Sequence, residues 1–311
     1  MEAIRVKSRE KIQHQLNAMY DLQGIVKMMK TLAGANIRQY EYASRTLENY
    51  YSSIELGLRA VGSELENVQA NPARGSNLMP TGIIVFGTDH GLCGHINEHL
   101  VELALETKNP RVLTVGLRTA NALTEAGIDS DKVFSAPASL GKTSDLIQQL
   151  LPEIDHWQNQ HQFISVDILF NHYLPDGTYH PVRQALLPVD TGQFRQAPKN
   201  TWPSHNLPGH SIAAPLLFGE LLQQYFFISL FSACVESQTS EHSTRLRTML
   251  NAEENIKNRI EEITAEFRRV RQAEITSELM EVLAGFEASL QHGTPGRDKE
   301  VNQQQAEHFH T

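Results

Sequence analysis

IQHQLNAMYDLQGIVKMMKTLAGANIRQYEYASRTLENYYSSIELGLRAVGSELENV, residues 12–68, carries an apolar or aromatic residue at every seventh position: Ile12, Met19, Val26, Ala33, Tyr40, Leu47, Ile54, Val61 and Val68. A companion row four residues on holds Leu16, Gln23, Lys30, Ile37, Ser44, Tyr51, Leu58 and Leu65. A stripe that repeats every 3.5 residues stays on one face over about eight heptads only if the helix supercoils with a partner, so the spacing predicts a coiled-coil helix. Gln23, Lys30 and Ser44 interrupt the companion row. They either set register against a polar partner or mark a loose, solvated part of the seam.

Proline marks out a second helix. Of the 13 prolines, twelve lie between Pro72 and Pro215 and the last is Pro295. A proline inside a helix costs ~3 kcal/mol, so the proline-free stretches 1–71 and 216–294 read as two long helices around a different middle. Leu246, Met249, Ile256, Ile260, Ile263 and Phe267 keep the coiled-coil spacing. The stripe then moves by one position to Ile275, Leu279, Val282 and Phe286, a stutter that relaxes the supercoil. Helices from Ile4 to Val68 and from Ala214 to Leu290 would run ~95 and ~115 Å. They pack on one another as an antiparallel pair, or each pairs with another chain. Between Leu216 and Phe231 apolar residues surround the helix, which predicts burial on all sides beneath the middle domain. A membrane-surface anchor would want flanking Lys and Arg that this segment lacks.

In the middle the period changes. Ile83–Phe86, Val112–Val115, Val133–Phe134 and Phe163–Phe170 read as strands, and 95–106, 117–126 and 144–157 as helices. Alternation of this kind predicts βαβ units and a mainly parallel sheet. The turn signal Pro175-Asp176-Gly177 predicts a hairpin of Ile164–Tyr173 with Tyr179–Leu187. The fold class is therefore α/β: a long antiparallel coiled coil of the N- and C-terminal helices with an inserted Rossmann-like, mainly parallel α/β domain. The expected organisation is a helix over 1–70, the α/β domain over 80–190, a linker over 191–213, a helix over 214–290 and a disordered tail over 291–311.

Composition narrows the function. No stretch approaches the ~18 uninterrupted apolar residues of a spanning helix, and the N-terminus MEAIRVKSREKIQHQ lacks the apolar core of a signal peptide, so the chain is expected in the cytosol. Cys93 and Cys234 show no ligand or disulfide spacing and read as packed residues, while His308 and His310 in the tail read as solvated rather than metal-binding. No metal or cofactor is expected. A net charge of −9 without a basic face argues against nucleic acid as a partner.

Two glycine-bearing segments invite a chemical reading. Ala136-Pro137-Ala138-Ser139-Leu140-Gly141-Lys142-Thr143 fits a relaxed P-loop between a strand and a helix. Such a loop needs backbone N–H groups aimed at the phosphate. Here Ala136 replaces the first glycine, Pro137 removes a donor, and Asp167, the acidic residue that would hold magnesium, lies within a strand. The segment reads as a loop into a helix at Ser144. Gly87 to Gly94 also joins a strand to a helix, and its Asp89, His90 and Cys93 could form a catalytic cluster; with no distant partner to complete it, a structural turn is the better reading.

Three segments carry a resemblance. Thr88 to Asn97, TDHGLCGHIN, resembles the GLCG-x-x-N turn of the γ subunit of F-type ATP synthases. Ile25 to Ala33, IVKMMKTLA, with Arg38, is similar to that subunit's N-terminal segment. Ser240-Glu241-His242-Ser243-Thr244-Arg245-Leu246, then Met249, Asn255 and Arg271 to Val282, RQAEITSELMEV, resembles its C-terminal helix. The likeness spans residues 5–290 in the family's order, densest at the two ends.

The resemblance implies a non-catalytic rotor. Its coiled coil would stand inside a hexamer of α and β subunits, and its α/β domain would stand on the membrane c-ring beside a small ε subunit. The complex would sit at the cytoplasmic face of the cell membrane. Carried over by position, Lys27, Met29 and Lys30 on the first helix, and Arg271, Gln272, Thr276 and Glu278 on the second, would meet the catalytic subunits. Arg271 with Gln272 suits directional bonds to carboxylates. Asp89, His90 and Cys93 would lie in the globular domain near ring or ε, shaping structure more than chemistry. Glu274, Glu278 and Glu281 read equally well as solvated helix-face charges. His90 stands where an arginine is usual, His95 replaces a common second glycine, and Gly24 and Gly34 soften the first helix. These departures suit a divergent member, such as one of the alternative N-type F-ATPase branch. The competing readings are a P-loop nucleotide hydrolase with coiled-coil arms and a static coiled-coil scaffold.

Overall fold

The computed structural model describes residues 2–62, 81–161, 165–189 and 209–292. The seam positions Leu65 and Val68, the strand start at Phe163, most of the expected linker and the tail with His308 and His310 lie outside these residues. In chain order the elements are α1 (Glu2–Gly62), β1 (Thr81–Phe86), α2 (Ile96–Leu105), β2 (Arg111–Val115), α3 (Leu117–Glu125), β3 (Lys132–Phe134), α4 (Leu140–His161), β4 (Ser165–Tyr173), β5 (Tyr179–Leu187) and α5 (Ala214–His292). The chain divides into two compact units, one drawn from Met1–Val26 with Ala252–Thr311 and the other from Lys27–Asn251.

In the first unit Ile12, Leu16 and Met19 of α1 pack against Ile260, Ile263, Phe267 and Val270 of α5. Arg9 lies 3.6 Å from Glu274 and over the Phe267 ring. Rising numbers on α1 meet falling numbers on α5, so the two helices pair with each other and run antiparallel. The second unit repeats the pattern. There Tyr40, Ala43 and Leu47 meet Phe231 and Val235, and Ile54, Leu58 and Val61 meet Phe218, Tyr225 and Ile228. The predicted seam is the observed one: Ile12, Val26, Ala33, Tyr40, Ile54 and Val61 are all buried, and Gln23, Lys30 and Ser44 are half-buried.

The sheet of the second unit has the order β3-β2-β1-β4-β5. Its first four strands are parallel, and β5 runs antiparallel to β4. Both faces are covered, so β1 is apolar from Ile83 to Phe86. Ile83 and Val85 join Leu100, Ala104 and Leu123 of α2 and α3 on one side. Ile84 and Phe86 join Leu146, Ile147 and Leu150 of α4, and Leu230, Ala233 and Cys234 of α5, on the other.

The start of α4 and the buried stretch of α5 are the differences from the sequence reading that bear on the site. Helix α4 starts at Leu140 rather than Ser144, because the Lys142 amide donates to the Ser139 carbonyl at 2.9 Å and closes a first turn across Gly141. The stretch of α5 buried on nearly all sides runs from Ile228 to Arg245, not from Leu216 to Phe231. Leu216 is 62% exposed, whereas Ser237, Thr239, Ser240 and Glu241 are buried. By length and composition α5 could cross a membrane; its apolar residues from Tyr225 to Cys234 are instead packed on α1 and the sheet.

Candidate functional site

An open α/β sheet binds ligands beyond the carboxyl ends of its strands, where the strand order reverses. Here that switch point lies between β1 and β4, and the chain fills it with its own helix. Ser237 Oγ of α5 donates to the carbonyl of Phe86, the last residue of β1, at 2.6 Å, and Ser240 Oγ donates to the Asn171 carbonyl of β4 at 2.8 Å. Ser243 Oγ donates to Gly177 in the β4–β5 turn at 2.9 Å, and Arg245 reaches the Gly91 carbonyl at 3.4 Å. From the other side Asn171 Nδ2 donates to the Ile96 carbonyl at the start of α2 at 3.1 Å. This polar helix segment can be buried because its three serines meet backbone acceptors left over where β1 and β4 end and in the β4–β5 turn.

The turn after β1 supports this socket. Asn97 Nδ2 donates to Thr88 Oγ1 at 2.9 Å, Thr119 Oγ1 donates to Asn97 Oδ1 at 2.7 Å, and the Thr88 amide donates to Thr119 Oγ1 at 2.9 Å. All three side chains are buried. Gly94 has φ +66°, and a side chain there would press on Thr244 of α5, so a glycine lets the turn approach the helix.

The structure separates Asp89, His90 and Cys93. Asp89 accepts the Leu117 amide at 2.8 Å and the Ala136 amide at 2.9 Å, tying the ends of β1, β2 and β3 together. His90 is exposed. Cys93 is buried, its Sγ donates to the His90 carbonyl at 3.5 Å, and burial pushes its thiol up rather than toward a nucleophilic thiolate. This is a structural turn.

The P-loop-like segment has no vacant cradle either. Its Ala136 amide already holds an internal carboxylate, and Thr143, whose hydroxyl would face a metal, is fully buried. Lys142 pairs with Asp145 at 2.8 Å. Asp167 shares its sheet face with Leu169, which packs with α2 and α3, whereas α4 covers the opposite face. Beside the loop lies a cleft of about 510 Å³, and its second lysine, Lys132, is paired with Glu153 at 2.6 Å. Among the described residues no group of three or more His, Cys, Asp and Glu side chains could hold a metal ion.

Electrostatics concentrate on α5 beside α1. Glu241 and Arg245 are both buried and 2.5 Å apart. Burial raises the Glu241 carboxyl above its ordinary range, opposed by Arg245. His242 lies beside them, its ring 5.5 Å from Tyr40 and its Nε2 3.5 Å from Asn36 Nδ2 of α1. Burial, then Arg245, lowers its pKa from 6.5 to about 4. A histidine held neutral in the fold protonates more readily once unfolded, so its contribution is complete above pH 6.5 and is lost as the pH falls toward 4. His242→Gln should therefore flatten the stability profile across that window by about 2–3 kcal/mol, read from urea unfolding at a series of pH values.

The remaining predicted residues lie on the two long helices. In the second unit Lys27 is exposed, while Met29 and Lys30 are half-buried. In the first unit Arg271, Gln272, Thr276 and Glu278 of α5 are all exposed. Gln272 and Thr276 line an open groove together with Arg269, Ala273, Ser277 and Met280. The serine-rich docking segment of α5 is the feature that sequence reasoning missed. Its signal is a run in which serine and threonine make up five of the eight residues from Ser237 to Thr244, inside a coiled-coil pattern.

A family model described as ATP synthase matches residues 8–289. The chain is 24% identical over 293 residues to the ATP synthase gamma chain of Desulforamulus reducens, covering 90% of this chain and 99% of that one. It is 26% identical over 308 residues to the ATP synthase gamma chain of Granulibacter bethesdensis, covering 90% and 99%. Among solved structures it resembles a chain of the Euglena gracilis mitochondrial ATP synthase OSCP/F1/c-ring assembly, with a TM-score of 0.66 at 15% identity over 94% of this chain and 98% of that one. A chain of the Tetrahymena thermophila mitochondrial ATP synthase central stalk and c-ring gives 0.53 at 19% identity over 73% and 99%. These structural likenesses agree with two terminal helices around a parallel sheet. With a model match running from residue 8 to residue 289, this chain belongs to the ATP synthase family, among relatives that are gamma chains.

Proposed function

We propose that this chain is the central rotor shaft of an F-type ATP synthase and couples rotation of a membrane ion ring to ATP synthesis or hydrolysis in other subunits. The observation that carries this reading is the end of α5. Beyond Val270 its apolar stripe continues through Ile275, Leu279, Val282 and Phe286, exposed by 48%, 64%, 71% and 64%. An apolar stripe left in water calls for a partner. A surrounding sleeve of α and β subunits would supply one while leaving the helix able to turn. The α/β domain would stand on the c-ring with an ε subunit beside it, at the cytoplasmic face of the cell membrane.

On this reading the chain has no active site of its own. The filled crevice between β1 and β4 and the occupied Ala136 amide both support that. Lys27, Met29 and Lys30 would face the catalytic subunits from α1, and Arg271, Gln272, Thr276 and Glu278 would do so from α5. The guanidinium of Arg271 suits a bond that forms and breaks against a carboxylate once per step. Arg271→Ala should leave the complex assembled and lower ATP synthesis in membrane vesicles by about tenfold, equivalent to ~1.4 kcal/mol on the barrier. Full synthesis with the variant in place would remove Arg271 from the coupling path.

A further inference from the structure

Serine and threonine inside a helix commonly turn their hydroxyls back to the carbonyl four residues earlier. Thr239 and Thr248 of α5 do so, donating to Val235 and Thr244. Ser237, Ser240 and Ser243 instead point out of the helix and donate to Phe86, Asn171 and Gly177, which belong to the end of β1, to β4 and to the β4–β5 turn. At three-residue intervals these donors climb ~9 Å along α5 and fan over about 120° of its circumference. A single row of bonds would act as a hinge. A fan reaching three parts of the domain fixes both the axial position and the rotation of the helix in its socket. The neighbouring apolar contacts of Leu230, Ala233 and Cys234 have no directional preference and resist turning far less.

We infer that Ser237, Ser240 and Ser243 are positioning residues of the rotary coupling: they lock the angle of the α/β domain on α5, so that torque entering through the domain reaches the helix pair without slack. The inference rests on the rotor reading. The test uses the whole membrane complex carrying Ser237→Ala, Ser240→Ala and Ser243→Ala together, in inverted vesicles, with ATP hydrolysis and ATP-driven ion uptake measured in parallel. Hydrolysis should stay within about twofold of the unaltered complex, while ions taken up per ATP fall by about threefold or more. An unchanged ratio, whatever the hydrolysis rate, overturns the inference.

A second arm separates angular locking from simple loss of packing. His172 of β4 and Glu236 of α5 are in side-chain contact, so His172→Cys with Glu236→Cys presents two thiols that a short bis-maleimide can join. In the triple variant, the linked complex, its linkage verified by mass spectrometry, should recover the uptake ratio; a linked complex that does not recover overturns the inference. Should the triple variant not assemble, Ser240→Ala alone is read by the same ratio. If the unaltered chain yields no complex with ATP-driven ion uptake, the rotor reading itself has failed, which is distinguishable from failure of the serines.

Discussion

Gly116→Ala is expected to lose at least ~3 kcal/mol of unfolding free energy, the cost of a forbidden dihedral and a hard backbone clash together. Gly116 caps the start of α3 with φ +108°, a conformation that side chains rarely adopt. An added Cβ would sit 2.6 Å from the Thr88 nitrogen and 2.7 Å from its carbonyl oxygen. Thr88 cannot retreat without damage. Its carbonyl accepts the Arg118 and Thr119 amides, and its own amide and hydroxyl belong to the buried network with Thr119 and Asn97. Gly127→Ala is the control, since φ there is +84° but nothing lies within 4 Å. That substitution carries the dihedral penalty alone, roughly 1–2 kcal/mol. Urea unfolding of both variants checks the claim; equal losses would mean that the Gly116–Thr88 approach is not maintained in solution.

Arg245→Met should cost about 3–5 kcal/mol, because it leaves the Glu241 carboxylate buried without its cation. It also removes a donor from the Gly91 carbonyl. The loss should depend on pH with a definite sign. Glu241 already has a carboxyl raised by burial, so the fold binds its proton more tightly than the unfolded chain does. Stability from this group is complete below its ordinary range and falls as pH rises through the folded value. Without Arg245 the folded value climbs further, so the variant's deficit should shrink as the pH is lowered. Adding Glu241→Gln should recover part of the loss at neutral pH. A deficit independent of pH would assign the cost to packing of the arginine stem rather than to the charge.

Much of this architecture is legible in the sequence because a heptad row has one geometric meaning. Ile12, Val26, Ala33, Tyr40, Ile54 and Val61 form one row, and each is buried where the row predicts. The parallel strands are equally plain, since apolar runs such as Ile83 to Phe86 are what a sheet covered on both faces requires. The socket is harder to read. Burial of Ser237 and Ser240 depends on carbonyls of Phe86 and Asn171, 151 and 69 residues away along the chain, and local periodicity carries no record of such partners. The same limit hides the partners of Asp89, whose carboxylate binds the amides of Leu117 and Ala136. Helix α4 begins four residues before Ser144 because the Ser139 carbonyl accepts the Lys142 amide and carries the first turn through Gly141, which reads as loop.

The most direct test of the rotor reading is the composition of what this chain is bound to. A tagged copy is expressed in its native cell, the membranes are opened with mild detergent, and the eluate is analysed for subunits, stoichiometry and ATPase activity. A rotor shaft predicts a membrane-derived complex of several hundred kilodaltons with ATPase activity, containing α- and β-like subunits and a single copy of this chain. Elution of the chain alone, binding ATP in a manner abolished by Lys142→Ala, would contradict it and restore the nucleotide hydrolase reading.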